Sequence, residues 1–118
     1  MATSSFAGSV EEELRGIANA TQKGLPMQIS DEMQATSITA SGNAMLLRYH
    51  FLKKPPAASI VETLKKEFFE NSINADCTHP DMKALIDRGA YFKYEYYASD
   101  NRFVLGYAID KNICIRGR

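Results

Sequence analysis

What this chain lacks excludes several function classes before any motif is sought. No apolar run approaches the roughly 20 residues needed to cross a bilayer, and even Phe103 to Ile109 spans only seven. Neither sign of charge is in excess, because 14 Lys and Arg face 14 Asp and Glu. Residues 1–59 and 60–118 balance separately. A nucleic-acid partner is therefore not expected, since phosphate binding needs a surplus of cations to release counterions. The signatures GxSxG, HExxH and CxxC are absent, as is a glycine-rich phosphate loop.

Histidine and cysteine are equally scarce, at two each. Cys77-x-His79 lacks the second half of a zinc-site spacing, so no metal is assigned. His79 reads as a helix-entry residue before Pro80, and His50 as a solvated or hydrogen-bonded strand side chain. Glu11-Glu12-Glu13 is the acidic first turn of a helix. No catalytic residue and no cofactor follow from the pattern. A small enzyme or ligand-binding domain would need a pocket between sheet and helices, lined by Arg48, His50 or His79. No secretory leader is visible, because Met1 is followed by Ala2-Thr3-Ser4-Ser5 and soon by acidic residues. The expectation is either a cytosolic protein or a chain whose targeting segment has been removed.

What is present suits one core. The chain has 118 residues and 13.2 kDa, with 45% apolar and 10% aromatic residues, enough for a single interior. Residues 1–8 read as a flexible lead-in and 9–118 as one domain. Ser9 and Glu12 form a capping box, and Val10, Leu14, Ile17 and Thr21 recur at helical spacing until Gly24 and Pro26 stop the helix. Ala35–Ala40 and Ala44–Leu52 alternate around Ser41-Gly42-Asn43, which predicts a hairpin. Met45, Leu47, Tyr49 and Phe51 form its expected core face.

A second helix begins near Ala57, with Ile60, Val61, Leu64 and Phe68 inward and Lys65, Lys66, Glu67 and Glu70 outward. Residues 71–76 read as a polar loop. Pro80 opens a short third helix that Gly89 ends. Tyr91–Ala98 and Arg102–Asp110 then predict a second hairpin. Phe92, Tyr94 and Tyr96 share one face and Tyr91, Lys93, Glu95 and Tyr97 the other, while on the partner strand Phe103, Leu105, Tyr107 and Ile109 alternate with Val104, Gly106 and Ala108. The expected fold class is α+β, a four-stranded antiparallel sheet made of two hairpins with helices packed on one face.

Cys77 and Cys114 are expected either to form a disulfide tying the third helix to the last strand or to remain two buried thiols. An even count at the ends of adjacent elements suits the bridge and an oxidising compartment. The aromatic strand from Tyr91 to Tyr97 presents a sharper choice. Interleaved Tyr and Lys can stack bases, but Glu95 beside Lys93 and the zero net charge favour sheet packing, and then a protein contact through Tyr91, Lys93 and Tyr97.

Leu25-Pro26-Met27 followed by Asp31, the strand Leu46 to Phe51, and Cys77 through Gly89 to Tyr94-Glu95-Tyr96 and Cys114 together resemble a family of small, mostly exported bacterial proteins of unknown function. The resemblance covers residues 17–114. It implies a periplasmic or secreted location and favours the disulfide, and it carries no catalytic residue to transfer. The leading expectation is a non-enzymatic, protein-binding or accessory factor of the cell envelope, inhibitor-like or pilot-like, with another protein as partner. A cytosolic subunit that pairs through a sheet edge is a further reading.

Overall fold

A computed structural model describes residues 9–116. The lead-in expected over 1–8 lies outside the described residues. Helix α1 (Val10–Gln22) starts where the capping box places it. Ser9 Oγ accepts from the Glu12 amide at 3.1 Å and Glu12 Oε1 accepts from the Ser9 amide at 3.3 Å, so two amides of the first turn are satisfied reciprocally. Val10, Leu14 and Ala18 form the buried seam, while Ile17 is exposed. A cis Leu25–Pro26 peptide leads out of the helix. Strands β1 (Met27–Gln28), β2 (Met33–Ser41) and β3 (Ala44–Phe51) follow, then a 3₁₀ turn at Ala58–Ile60, α2 (Val61–Thr78) and α3 (Pro80–Asp87). Strands β4 (Tyr91–Tyr97) and β5 (Phe103–Ile109) and helix α4 (Lys111–Arg116) come last among the described residues.

The α+β class and the two hairpins agree with the alternation in the sequence, but the sheet is five-stranded and mixed, in spatial order β1-β2-β3-β4-β5. The expected four antiparallel strands are corrected in two respects. Met27 and Gln28 add an edge strand, pairing antiparallel with Ala35 and Gln34. The hairpins join through β3 and β4, and that seam is parallel, with Met45 beside Phe92 and Tyr49 beside Tyr96. Parallel neighbours need a long crossover, usually helical. Here α2 and α3 carry the chain back to the end of the sheet where β3 begins.

The helices cover one face. Leu14 from α1, Cys77 from α2 and Ile86 from α3 are buried in one cluster with Phe92 and Ile109. Met45 and Phe51 are buried and Leu47 and Tyr49 half-buried against that cluster, so the expected core face of β3 is the observed one.

Residues 71–76, expected as a loop, are the last turns of α2. Two of their polar side chains, Ser72 and Asp76, turn inward. Ser72 Oγ lies 2.8 Å from the Tyr107 hydroxyl, and Tyr94 donates its hydroxyl to Asp76 Oδ2 at 2.5 Å. Tertiary contacts thus hold a segment whose own helix propensity is weak. Cys77 and Cys114 form a disulfide with Cα atoms 5.4 Å apart. It ties the C-terminal turn of α2 to α4, rather than the third helix to the last strand.

Candidate functional site: the open face of the sheet

The face of the sheet away from the helices is assembled by the parallel seam. Register places Ala44 beside Tyr91, Leu46 beside Lys93, Arg48 beside Glu95 and His50 beside Tyr97. Because side chains alternate across a strand, Tyr91, Lys93, Glu95 and Tyr97 all project from this face. Tyr91 and Lys93 are exposed and Tyr97 is half-buried. The three residues singled out from the sequence therefore share a surface that the chain's own helices leave uncovered.

Phe103 joins them, which the sequence reading missed. Strict alternation groups it with the inward residues Leu105, Tyr107 and Ile109. Between Tyr96 opposite Leu105 and Tyr97 opposite Phe103 the register slips by one residue. That bulge turns Phe103 onto the open face, where it is 55% exposed. Its ring meets Tyr97 edge-on at 5.7 Å and lies over Gly106, where a β-carbon would stand 3.1 Å from Phe103 Cζ. The glycine at this position is the only sequence trace of the arrangement.

A polar network fixes the centre of the face. Arg48 Nε is 3.3 Å from Glu95 Oε1, and the Tyr97 hydroxyl donates to the same oxygen at 2.6 Å. That hydrogen bond, with help from Arg48, holds the Glu95 carboxyl below the usual range, and it raises the Tyr97 phenol above its ordinary value. The Arg48 guanidinium sits 6.0 Å over the Tyr97 ring, within reach of a cation–π contact. His50 stacks on the same ring at 5.4 Å. Its Nδ1 is 2.7 Å from Thr36 Oγ1 and its Nε2 is 2.8 Å from Asn101 Oδ1. Asn101 has φ of 71° in the β4–β5 turn, a left-handed position that Asn tolerates. His50 thus pins that turn to β2.

Arg48 and His50, candidates for a pocket, do come together, but on the open face. They line a cleft of 270 Å³ with Tyr97 and Asn101, next to one of 340 Å³ that includes Thr36 and Gln34. His79 is exposed at the α2–α3 junction and does not join them. Its neighbour two residues earlier, Cys77, is in the disulfide and offers no thiolate to a metal.

The space between sheet and helices is filled by Tyr49, Tyr94, Tyr96 and Tyr107. Tyr49 stacks on Tyr96 with centroids 4.9 Å apart, and Tyr94 stacks on Tyr107 at 5.1 Å. Tyr107 donates to the Phe68 carbonyl at 3.2 Å. Burial pushes Tyr49 up to about 12 and raises Tyr94, Tyr96 and Tyr107 as well. Burial also raises the Asp76 carboxyl, with the Tyr94 hydrogen bond opposing it. Asp76 is 3% exposed, so this acid–phenol pair meets no solvent-borne substrate.

A separate apolar groove of 320 Å³ lies at the N-terminal end of α2. Met33, Phe51, Ile60, Leu64 and Phe68 line it, with Lys53, Lys54 and Glu32 at its rim.

No family model matches the chain, and no curated protein matches it. Solved structures do match its fold. A Pseudomonas aeruginosa protein described as secreted superposes with a TM-score of 0.73 at 18% identity, over 89% of this chain and 92% of that one. EpsS, the pilotin of the Vibrio vulnificus type 2 secretion system, gives 0.71 at 15% identity, over 89% and 91%. AspS, a type II secretion system pilotin from Vibrio cholerae, gives 0.65 at 14% identity, over 89% and 92%. At these identities the chain is similar to the three in fold.

Proposed function

We propose that this chain is a non-enzymatic accessory protein of the bacterial cell envelope, periplasmic or secreted, that binds another protein through the open face of its sheet. The observation that carries the reading is the uncovered surface of Tyr91, Lys93, Tyr97 and Phe103, in which Tyr97 is held by Glu95, Arg48 and His50. Amphipathic aromatic rings held in place are the usual anchors of protein interfaces, because they bury a large area at low entropic cost. The mixture of Lys93, Arg48 and Glu95 suits a polypeptide rather than a polyanion. The disulfide favours an oxidising compartment, and the fold shared with two pilotins supports an accessory role.

The test places a photoreactive residue at Phe103, at Ile60 in the apolar groove, or at Glu67 on the wet side of α2, in the organism that carries the gene. A discrete adduct from Phe103 and none from Glu67 is the expected result. An adduct from Ile60 alone would move the contact to the groove and overturn the open-face assignment. Equal adducts from all three positions would overturn it too. Alkylation of unreduced protein from the same cells checks the compartment, since a periplasmic or secreted chain takes up no reagent at Cys77 or Cys114.

A further inference from the structure

Charge is distributed unevenly over the open face. Strands β1, β2 and β5 contain no charged residue, so the strand charges come from β3 and β4 alone. Glu95 is the one carboxylate among them, and it is already engaged. Its Oε1 accepts from Arg48 Nε at 3.3 Å and from the Tyr97 hydroxyl at 2.6 Å. His50 has its two ring nitrogens against Thr36 and Asn101. The cations are less fully engaged. Lys93 is exposed and enters none of the ion pairs that the described residues form. Arg48 meets Glu95 through Nε and pairs with no second carboxylate among the described residues, while its side chain is 46% exposed. A guanidinium carries five N–H donors, so donors remain for another anion.

The two cations are neighbours at the centre of the face. Lys93 stands beside Leu46 across the seam, and Arg48 is two residues further along β3, which puts their Cα atoms roughly 8 Å apart. Arg48 is already held, by Glu95 and by the Tyr97 ring 6.0 Å from its guanidinium, so a partner need not order it. Toward the ends the chemistry changes. Tyr91 precedes Lys93 by two residues, Phe103 lies beside Tyr97 at the other end, and both rings are exposed. Asp110 stands near Tyr91 and Asp100 lies in the turn beyond Tyr97. Each uses Oδ1 to accept from a backbone amide, and each repels further acid from its end of the face.

We propose that the open face takes a polypeptide segment with a carboxylate at its centre and an apolar side chain toward each end. The carboxylate meets Arg48 and Lys93, and the apolar side chains meet Tyr91 and Phe103. From Tyr91 to Tyr97 the strand spans about 20 Å, which about seven extended residues of a partner would cover. Charge complementarity at the centre selects such a segment and rejects a basic one, while the aromatic ends supply apolar contact area. The inference rests on the open-face reading above and adds to it the chemistry of the partner.

The photoreactive residue at Phe103 tests this when it is combined with changes at Lys93. Lys93→Glu should reduce the Phe103 adduct at least tenfold. Lys93→Arg should keep it, and so should Lys65→Glu on the wet side of α2, with the near-ultraviolet circular dichroism native in all three. The linked stretch of the partner, sequenced by mass spectrometry, should contain Asp or Glu, and Lys in its place should restore the adduct to Lys93→Glu. An adduct undiminished in folded Lys93→Glu, lost in Lys93→Arg, or lost equally in Lys65→Glu overturns the inference and leaves the open-face reading standing. So does a linked stretch without a carboxylate, or a charge swap that restores nothing. No Phe103 adduct in a chain otherwise wild type, or an adduct with lipid alone, overturns both.

Discussion

Asp76 is the buried charged residue of the core among the described residues. It lies near the C-terminal end of α2, where carbonyl dipoles oppose negative charge, and it is buried against Tyr94. Burial raises its carboxyl above the ordinary value of 3.8, so the folded chain binds that proton more tightly than the unfolded chain does. A group shifted in this direction contributes stability that is fully present below pH 3.8 and is lost as pH rises through the folded value. Asp76→Asn keeps an acceptor for the Tyr94 hydroxyl and removes the titration. Urea unfolding at a series of pH values from 3 to 7 should show the variant gaining on the wild type as pH rises, with a plateau once the wild-type carboxyl is ionised. A difference that is flat with pH would refute the assignment. Glu95 has the opposite sign, since its depressed carboxyl supports the fold above its unfolded value and stops doing so as pH falls. Neither residue could be singled out in the sequence. Asp76 sits in a run of polar residues with no apolar periodicity, and its importance comes from Tyr94, 18 positions away.

Elements whose signals are local were legible. The Ser9–Glu12 box, Pro80 at the start of α3, and the alternation of β3 and β4 gave helix starts and strand faces close to those observed. The end of α2 was not legible, because Ser72 and Asp76 turn inward only once Tyr107 and Tyr94 exist to meet them. The open-face residues Tyr91, Lys93 and Tyr97 could be read from alternation alone, whereas Phe103 required a bulge. Helix α4 has one local signal, Asp110 as a cap-type residue ahead of Ile113. At six residues α4 is too short to be stable alone, and Cys114 fastens it to α2. Closing a loop of 37 residues stabilises a fold by about 4 kcal/mol in the chain-entropy model. Replacing Cys77 and Cys114 together by Ser should cost roughly that much in chemical denaturation. Hydrogen exchange should then show the α4 amides losing protection before those of β4. A double variant as stable as the wild type would place the disulfide among dispensable features.

For the whole molecule, the unreadable part was the seam. Alternation says which side chains share a face, but it is silent on which strands are neighbours and which way they run. The two hairpins are local, each closed by a turn of a few residues, whereas the seam brings Arg48 to Glu95 across 47 residues. This gives the protein an order of assembly. Hairpins form in microseconds, but a long-range parallel pairing must first meet the entropy of closing the intervening chain. Met45, buried at the seam beside Phe92, should therefore act on the folding rate. Met45→Ala is expected to slow refolding in a stopped-flow chevron, while Leu14→Ala, on the edge-lying α1, mainly accelerates unfolding. The reverse partition would mean that α1 docks before the hairpins meet. A nascent chain in which β4 has not yet been synthesised presents β3 as a bare edge. Until α2 and α3 have emerged and carried β4 alongside it, the first hairpin is the stretch that a chaperone or a like chain would capture.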